Sequence, residues 1–362
     1  MNQAEIMVIY GEEPQAMVKT LLSKIRPEQG LDQNALIGLK PNLVVAKAHT
    51  SGATTSPALV AGIIEYFQSK GYQRLTILEG SWVGDRTSEA FRICGYQELA
   101  QKYAVELVDL QQDGCREYDA GGFPLKICNK AMEVDYLINI PVLKGHCQTG
   151  ITCALKNLKG CIPNSEKRRF HTLGLHKPIA YLNKILKQNL IIVDGMMGDL
   201  DFEEGGNPVQ MNRLIAGFDP VLIDSYAAQL LGYNLDEVPY IGLADKIGVG
   251  RMENNFDDVI ELNQDHYRNP IPKTRKVQEL AEYIEAREAC SACYGSLIHA
   301  LGRLKERGEL KGFRKKICIG QGYRNQDIHG IGVGSCTGNC DLHLNGCPPK
   351  AKEIIDFLKK TF

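Results

Sequence analysis

The stretch Leu36-Ile-Gly-Leu-Lys-Pro-Asn42, Thr54-Thr-Ser-Pro-Ala-Leu-Val60 and on to Phe67, then Leu75-Thr-Ile-Leu-Glu-Gly80, decides the fold class. Two short apolar runs flank a segment whose Leu59, Val60, Ile63, Ile64 and Phe67 recur at helical spacing. Ser56 suits a helix N-cap and Pro57 the first helical position. A strand, a crossover helix and a second strand predict a βαβ unit with parallel strands. The same alternation extends outward. Ala4–Tyr10, the strand within Ala35–Val45, Val134–Ile140 and Leu190–Val193 predict further strands, and Met17, Leu21, Leu22 and Ile25 predict a helix. Asp219-Pro220 opens another helix, with Val221, Leu222, Tyr226, Leu230 and Leu231 as its apolar stripe. The expected class is α/β, a mainly parallel sheet flanked by helices.

Composition changes near Tyr267-Arg-Asn-Pro-Ile-Pro272, which reads as a linker. It divides an α/β domain at 1–270 from a smaller C-terminal α/β segment at 271–362, expected to bind an iron–sulfur cluster. The segment predicts a charged helix over Lys276–Arg287, a helix opened by a cysteine pair, a strand at Lys316–Gly320, a glycine-rich loop and a last helix after Pro349.

A formal net charge of −1 over 362 residues argues against nucleic acid or an anionic membrane surface as partner. The basic run Lys167-Arg168-Arg169 reads as a solvated turn. No apolar run is long enough to span a bilayer, and Met1-Asn-Gln-Ala-Glu-Ile lacks the pattern of a secretory signal. A cytoplasmic setting is expected. There, twelve cysteines point to metal binding or buried thiols and not to a disulfide framework.

Four of these cysteines carry the cofactor expectation: Cys290-Ser-Ala-Cys293, Cys336 after Gly334-Ser335, and Cys347 between Gly346 and Pro348. A close pair with two distant partners fits four-thiolate ligation of one [4Fe–4S] cluster, with zinc as the alternative occupant. Cys290 and Cys293 share a helix face near free backbone N–H groups. Cys340 is the alternative to Cys336. Cys318 lies in an apolar strand and reads as packing; Cys147, Cys153 and Cys161 read as buried thiols, with a second metal as the alternative.

Polar residues cluster where predicted strands end: Lys40 and Asn42, Glu79, Lys144 and His146, and Asp194. The C-terminal ends of parallel strands share one edge, a common ligand site. Ser56 at a helix start adds N–H groups for an anion. Lys156 and Asn157 follow on an apparent helix and His171 in a cation-rich loop. Together these predict a pocket for an anionic small molecule, a carboxylate or phosphate. Lys144, His146 and Lys156 are the candidate catalytic groups; Lys40, Asn42, Ser56, Glu79, Asn157, His171 and Asp194 are the candidate binding groups. Asp224 reads as a buried structural acceptor.

The Gly334-Ser-Cys336 and Gly346-Cys-Pro-Pro349 ending resembles the cluster-binding segment of the small iron–sulfur subunit of respiratory complex I. The resemblance favours Cys336 over Cys340 and iron–sulfur over zinc. Lys40-Pro-Asn42, Thr54-Thr-Ser-Pro57, Leu78-Glu-Gly80, Pro141-Val-Leu-Lys-Gly-His146, Lys156-Asn-Leu-Lys-Gly160 and Asp219-Pro-Val221 together resemble the domain-of-unknown-function 362 family. That resemblance implies an α/β scaffold, iron–sulfur elements and electron transfer, with no defined reaction. The expected function is an iron–sulfur oxidoreductase served by a redox partner protein. The alternatives are a non-redox, transferase-like enzyme with a structural metal and a single-cluster electron carrier.

Overall fold

The computed structural model describes residues 5–263, 269–274, 276–311, 313 and 315–361. Its main sheet has eight strands in the order Ile260–Glu261, Met7–Tyr10, Pro208–Gly217, Leu190–Asp199, Tyr136–Ile140, Ile37–Pro41, Leu75–Glu79 and Glu106–Asp109. All run parallel except Pro208–Gly217, which is antiparallel to both neighbours. The βαβ unit forms as expected, with the helix Pro57–Ser69 between paired strands.

Alternation along the strands separates two buried faces, because successive side chains leave a strand on opposite sides. Leu190, Ile192, Ile138 and Ile140 face the helices Pro14–Ile25 and Pro57–Ser69. Ile191, Val193 and Leu137 face the other layer, which holds the helices His176–Ile185, Pro220–Leu230 and Pro239–Lys246. Asp219 caps the helix Pro220–Leu230, accepting from the N–H groups of Val221 at 2.8 Å and Leu222 at 3.1 Å.

The run expected to end at Val193 continues to Asp199 and turns back as Pro208–Gly217. The polar first half of the returning strand hid it from the apolar pattern. The connecting loop carries Glu203 and Glu204 across the edge where the neighbouring parallel strands end.

A second, four-stranded sheet is wholly parallel, in the order Ile284–Ala286, Ile317–Ile319, Ile328–Val333 and Cys340–Leu344. The helices Ser291–Glu306 and Ala351–Lys359 cover it through Leu297, Leu301, Ile354 and Leu358. Two expectations change here. The charged helix stops at Ala281 and gives way to the strand Ile284–Ala286, and the expected glycine-rich loop is the strand Ile328–Val333. Ile331 and Val333 are buried, so apolar alternation outweighs the interspersed glycines. Ala4, and Tyr267 and Arg268 of the expected linker, lie outside the described residues.

The helices Pro14–Ile25 and Pro57–Ser69 touch through Gly62, where a Cβ would fall 2.4 Å from Val18 Cγ1 and 2.7 Å from the Gln15 carbonyl oxygen. Gly62→Ala should therefore cost about 2 kcal/mol in urea unfolding, the usual scale of overpacking. Gly330→Ala meets nothing within 4 Å and serves as the neutral comparison. Equal stability of both variants would contradict this packing.

Candidate functional site

The floor of the site is built where the strands Ile37–Pro41 and Leu75–Glu79 finish side by side. Lys40 and Glu79 form a buried ion pair at 2.8 Å. Lys40 also donates to the Pro41 carbonyl at 2.7 Å, and Glu79 accepts from the N–H groups of Leu43 at 2.8 Å and Gly80 at 2.7 Å. These extra bonds are what a buried charge pair requires. Gly160 passes so close that a Cβ there would collide with both side chains, at 2.6 Å from Lys40 Nζ and 2.1 Å from Glu79 Oε1. Beside the pair runs a chain of buried amides. Asn42 Nδ2 donates to Asn157 Oδ1 at 2.8 Å, and Asn157 Nδ2 donates to Asn139 Oδ1 at 2.7 Å.

Above the floor lies a second ionic group. Lys156, on the short helix Ala154–Asn157, donates from Nζ to Glu203 Oε1 and to Thr152 Oγ1, the latter at 3.2 Å. His146 belongs to the hairpin Lys144–His146/Gly150–Thr152. Its Nδ1 accepts from the N–H groups of Gln148 at 3.0 Å and Thr149 at 3.1 Å, which puts the ring proton on Nε2. Nε2 lies 3.0 Å from Glu203 Oε2, off the line of a well-aligned hydrogen bond. Burial, reinforced by the Lys156 charge, pushes His146 down to about 4. Burial alone would raise Glu203, but Lys156, His146 and Lys144 outweigh it and hold that carboxyl well below its usual range.

A cleft of about 620 Å³, measured to its open mouth, lies over these groups. Asn42, Glu79, Lys156, Asn157 and His171 line it, so five of the expected residues meet in one place. The other five do not line it. Lys40 lies beneath the cleft, paired with Glu79. Lys144 Nζ is held by the carbonyls of Ala53 at 2.5 Å and Glu203 at 2.9 Å. His146 stands behind Glu203. Ser56 and Asp194 meet each other: the Ser56 N–H donates to Asp194 Oδ2 at 2.8 Å, so a protein carboxylate already occupies the expected anion cradle.

Trp82, Lys159, Lys167, Arg168 and Glu203 are among the lining residues that escaped the sequence reading. The run Lys167-Arg168-Arg169 is not a solvated turn. It lies, with His171, on the helix Asn164–Thr172, and Lys167 is buried, donating to the carbonyls of Gly80 at 3.0 Å and Ser81 at 2.8 Å. Burial pushes Lys159 down to about 7 and Lys167 to about 8. For Glu203 the available signal was the acidic run from Asp199 to Glu204. Asp224 is the structural acceptor expected, taking the N–H groups of Ala154 at 2.7 Å and Leu155 at 3.2 Å.

The cysteines come from three segments. Cys290 holds the N-cap position of the helix Ser291–Glu306, Cys293 lies in its first turn, Cys336 sits in the turn Ser335–Thr337, and Cys347 precedes Pro348. These thiols are electrostatic neighbours: burial, then their mutual repulsion, raises both Cys290 and Cys293. Hydrogen bonds between Ser335 and Gly346, at 2.9 and 3.0 Å, tie the two later segments together. Arg324 Nε donates to Cys336 Sγ at 3.3 Å. Cys340 faces elsewhere, packed with Cys318 and Tyr323. Cys153 and Cys161 are buried in the main core, and Cys147 packs against the small sheet's core. Among the described residues no three His, Cys, Asp or Glu side chains are grouped to hold a metal ion.

The cysteines and the cleft adjoin. Cys290, Ser291 and Ala292 form part of the cleft wall. Gln148, just past His146, donates to the Ala289 carbonyl at 2.9 Å and accepts from Ser291 Oγ at 2.8 Å, bracketing Cys290. Pro348 packs on the loop after Glu79, where a Cβ on Gly84 would lie 2.5 Å from its Cδ.

A family pattern described as "Domain of unknown function (DUF362)" matches residues 37–229, just over half of the chain. The chain belongs to the DUF362 family. The DUF362 match takes in the cleft from Lys40 to Glu203 and stops well before Cys290. The chain is similar to the thylakoid-associated protein sll1697 of Synechocystis sp., at 26% identity over 230 residues, covering 58% of this chain and 67% of that protein. Among solved structures, the lactate racemase apoprotein from Thermoanaerobacterium thermosaccharolyticum aligns at 14% identity with a TM-score of 0.41. That alignment covers 64% of this chain and 58% of the racemase. Among the described residues no helix is long and apolar enough to cross a membrane.

Burial pushes Lys144 down to about 7 from an ordinary 10.5. Between these values the unfolded chain binds the proton and the folded chain does not, so this group makes stability rise with pH across that window. Lys144→Met removes the gain. The variant's deficit in unfolding free energy should widen by about 1.5 kcal/mol between about pH 7 and about pH 8.5. Denaturant melts at each pH measure it, and a constant deficit would contradict the shift.

Proposed function

We propose that this DUF362 protein is an iron–sulfur oxidoreductase that acts on an anionic small molecule bound in the cleft. Cys290, Cys293, Cys336 and Cys347 would hold one [4Fe–4S] cluster. The observation that carries this proposal is the position of Cys290, which caps the helix bearing Cys293, interacts electrostatically with Cys336 and Cys347, and also forms part of the cleft wall. A bound cluster supplies single-electron transfer, and four thiolates leave no iron open for Lewis-acid chemistry. The resemblance of Gly346-Cys-Pro-Pro349 to the complex I segment points the same way. Segregation of Cys340 with Cys318 supports the choice of Cys336.

The chain's own residues bind, orient and move protons. Lys156 Nζ, paired with Glu203 at the cleft, is the proposed proton donor to the bound molecule, its proton accompanying the transferred electron. Glu203 positions Lys156 through the bond that its Oε1 accepts from Nζ, and its other oxygen faces the Nε2–H of the neutral His146 ring, which fixes the carboxylate. Electrons arrive singly from a redox partner protein. The twelve cysteines are all free, which suits a reducing cytoplasm. A purely structural metal is the weaker alternative, because it gives no reason for a ligand thiol on the cleft wall.

Anaerobic purification should yield about four iron and four labile sulfide per chain, with a paramagnetic signal on reduction. One zinc without sulfide overturns the proposal. Cys347→Ser should abolish the cluster and Cys340→Ser should keep it. The Arg324 hydrogen bond stabilises negative charge on Cys336 and so favours the reduced state. Arg324→Gln should lower the midpoint potential by tens of millivolts, on the order seen for bonds to cluster sulfurs. A potentiometric titration with no shift would remove Arg324 from that role.

A further inference from the structure

The cleft lining combines two unlike sets: Val44, Trp82 and Val83 are apolar, and Lys159, Arg168 and His171 carry basic nitrogens. Acidic groups could in principle satisfy the basic set, but both lining carboxylates are already engaged. Glu79 is held by Lys40 and two backbone N–H groups, and Glu203 by Lys156 and His146. Lys167 is fixed on the carbonyls of Gly80 and Ser81. Lys159 and Arg168 differ. Neither side chain, Lys159 half-buried and Arg168 exposed, has a hydrogen bond or ion pair among the described residues, and the buried Nδ1 of His171 also lacks a partner.

Two further features converge on this corner. The helix Ser291–Glu306 begins here, so its first N–H groups add the positive end of a 16-residue dipole. Trp82, half-buried and the only tryptophan in the chain, lines the same cleft. An indole in the same cleft as the unpaired Lys159 amine and Arg168 guanidinium suits a ligand with a flat apolar body and one anionic end, whose charge favours the protonated lysine. Inorganic phosphate would satisfy the cations and leave the apolar set unused.

We infer that the cleft binds an aromatic or conjugated monocarboxylate, with its carboxylate between Lys159 and Arg168 and its flat body against Trp82. This rests on the proposed function only in treating the cleft as the substrate site. The competing explanation is that Lys159 and Arg168 solely offset the charge of the cysteine thiolates, since both influence Cys290.

Trp82 is the only indole in the sequence, so a ligand-induced change in tryptophan emission, read at fixed cluster content because a cluster at Cys290 would quench it, arises from this residue. The full-length protein, purified anaerobically, is titrated with benzoate, its neutral isostere benzamide, and inorganic phosphate. Benzoate should change the emission saturably, with benzamide and phosphate at least about tenfold weaker. Lys159→Gln should weaken benzoate by at least about tenfold. Calorimetry on Trp82→Phe, which has no such signal, should record weakened benzoate binding. Absence of saturation, equal binding of benzamide or phosphate, or unchanged benzoate affinity in Lys159→Gln overturns the inference. Iron and sulfide are assayed on the same samples, so loss of the cluster proposal and loss of this one register separately.

Discussion

The Glu203 carboxylate is the constraint on which the rest of the site depends. It neutralises buried Lys156, faces His146, and offers its backbone carbonyl to buried Lys144. Removing one member of such a buried pair typically costs about 3–5 kcal/mol, because the remaining charge is uncompensated. Its loop neighbours extend the constraint to the small sheet. Phe202 packs against His299, and Glu204 abuts Gly295, both on the helix that begins after Cys290. The placement of one loop therefore governs both the cleft and the cysteine helix.

The same economy of position links the cysteines to the proton-bearing groups. His146 accepts the Gln148 N–H, while the Gln148 side chain bridges Ala289 and Ser291 on either side of Cys290. A single residue thus connects the imidazole to the cysteine segment. Pro348 against Gly84 makes a second junction, on the loop that also presents Trp82. The cleft lies between elements remote in sequence and is closed by their packing.

Much of the architecture was legible because it follows from periodicity. Apolar alternation located the parallel strands, and Ser56-Pro57 and Asp219-Pro220 located helix starts. The antiparallel return strand was hidden, because Pro208, Gln210, Asn212 and Arg213 interrupt its apolar pattern although residues 211–217 are buried. Among site residues, the motif Lys156-Asn-Leu-Lys-Gly160 drew attention to Lys156 and Asn157, but Lys159 in the same motif was passed over. The burial of Lys167 could not be read from a charged run, since only its carbonyl partners on another strand's loop make that burial tolerable.

By itself, the sequence determined the α/β class, the parallel edge where polar residues collect, and the four cysteines whose flanking glycines let distant segments approach. Those properties depend on local spacing and on side-chain chemistry. The tertiary structure alone decided which polar groups share the cleft and which are consumed as structure. Asp194 caps the Ser56 helix and Lys144 is spent on two carbonyls, whereas Lys159 and Arg168 remain unengaged among the described residues. It also decided that Cys290 stands on the cleft wall. The physical reason is that a buried charge is defined by its partners, and those partners come from chain segments that only folding brings together.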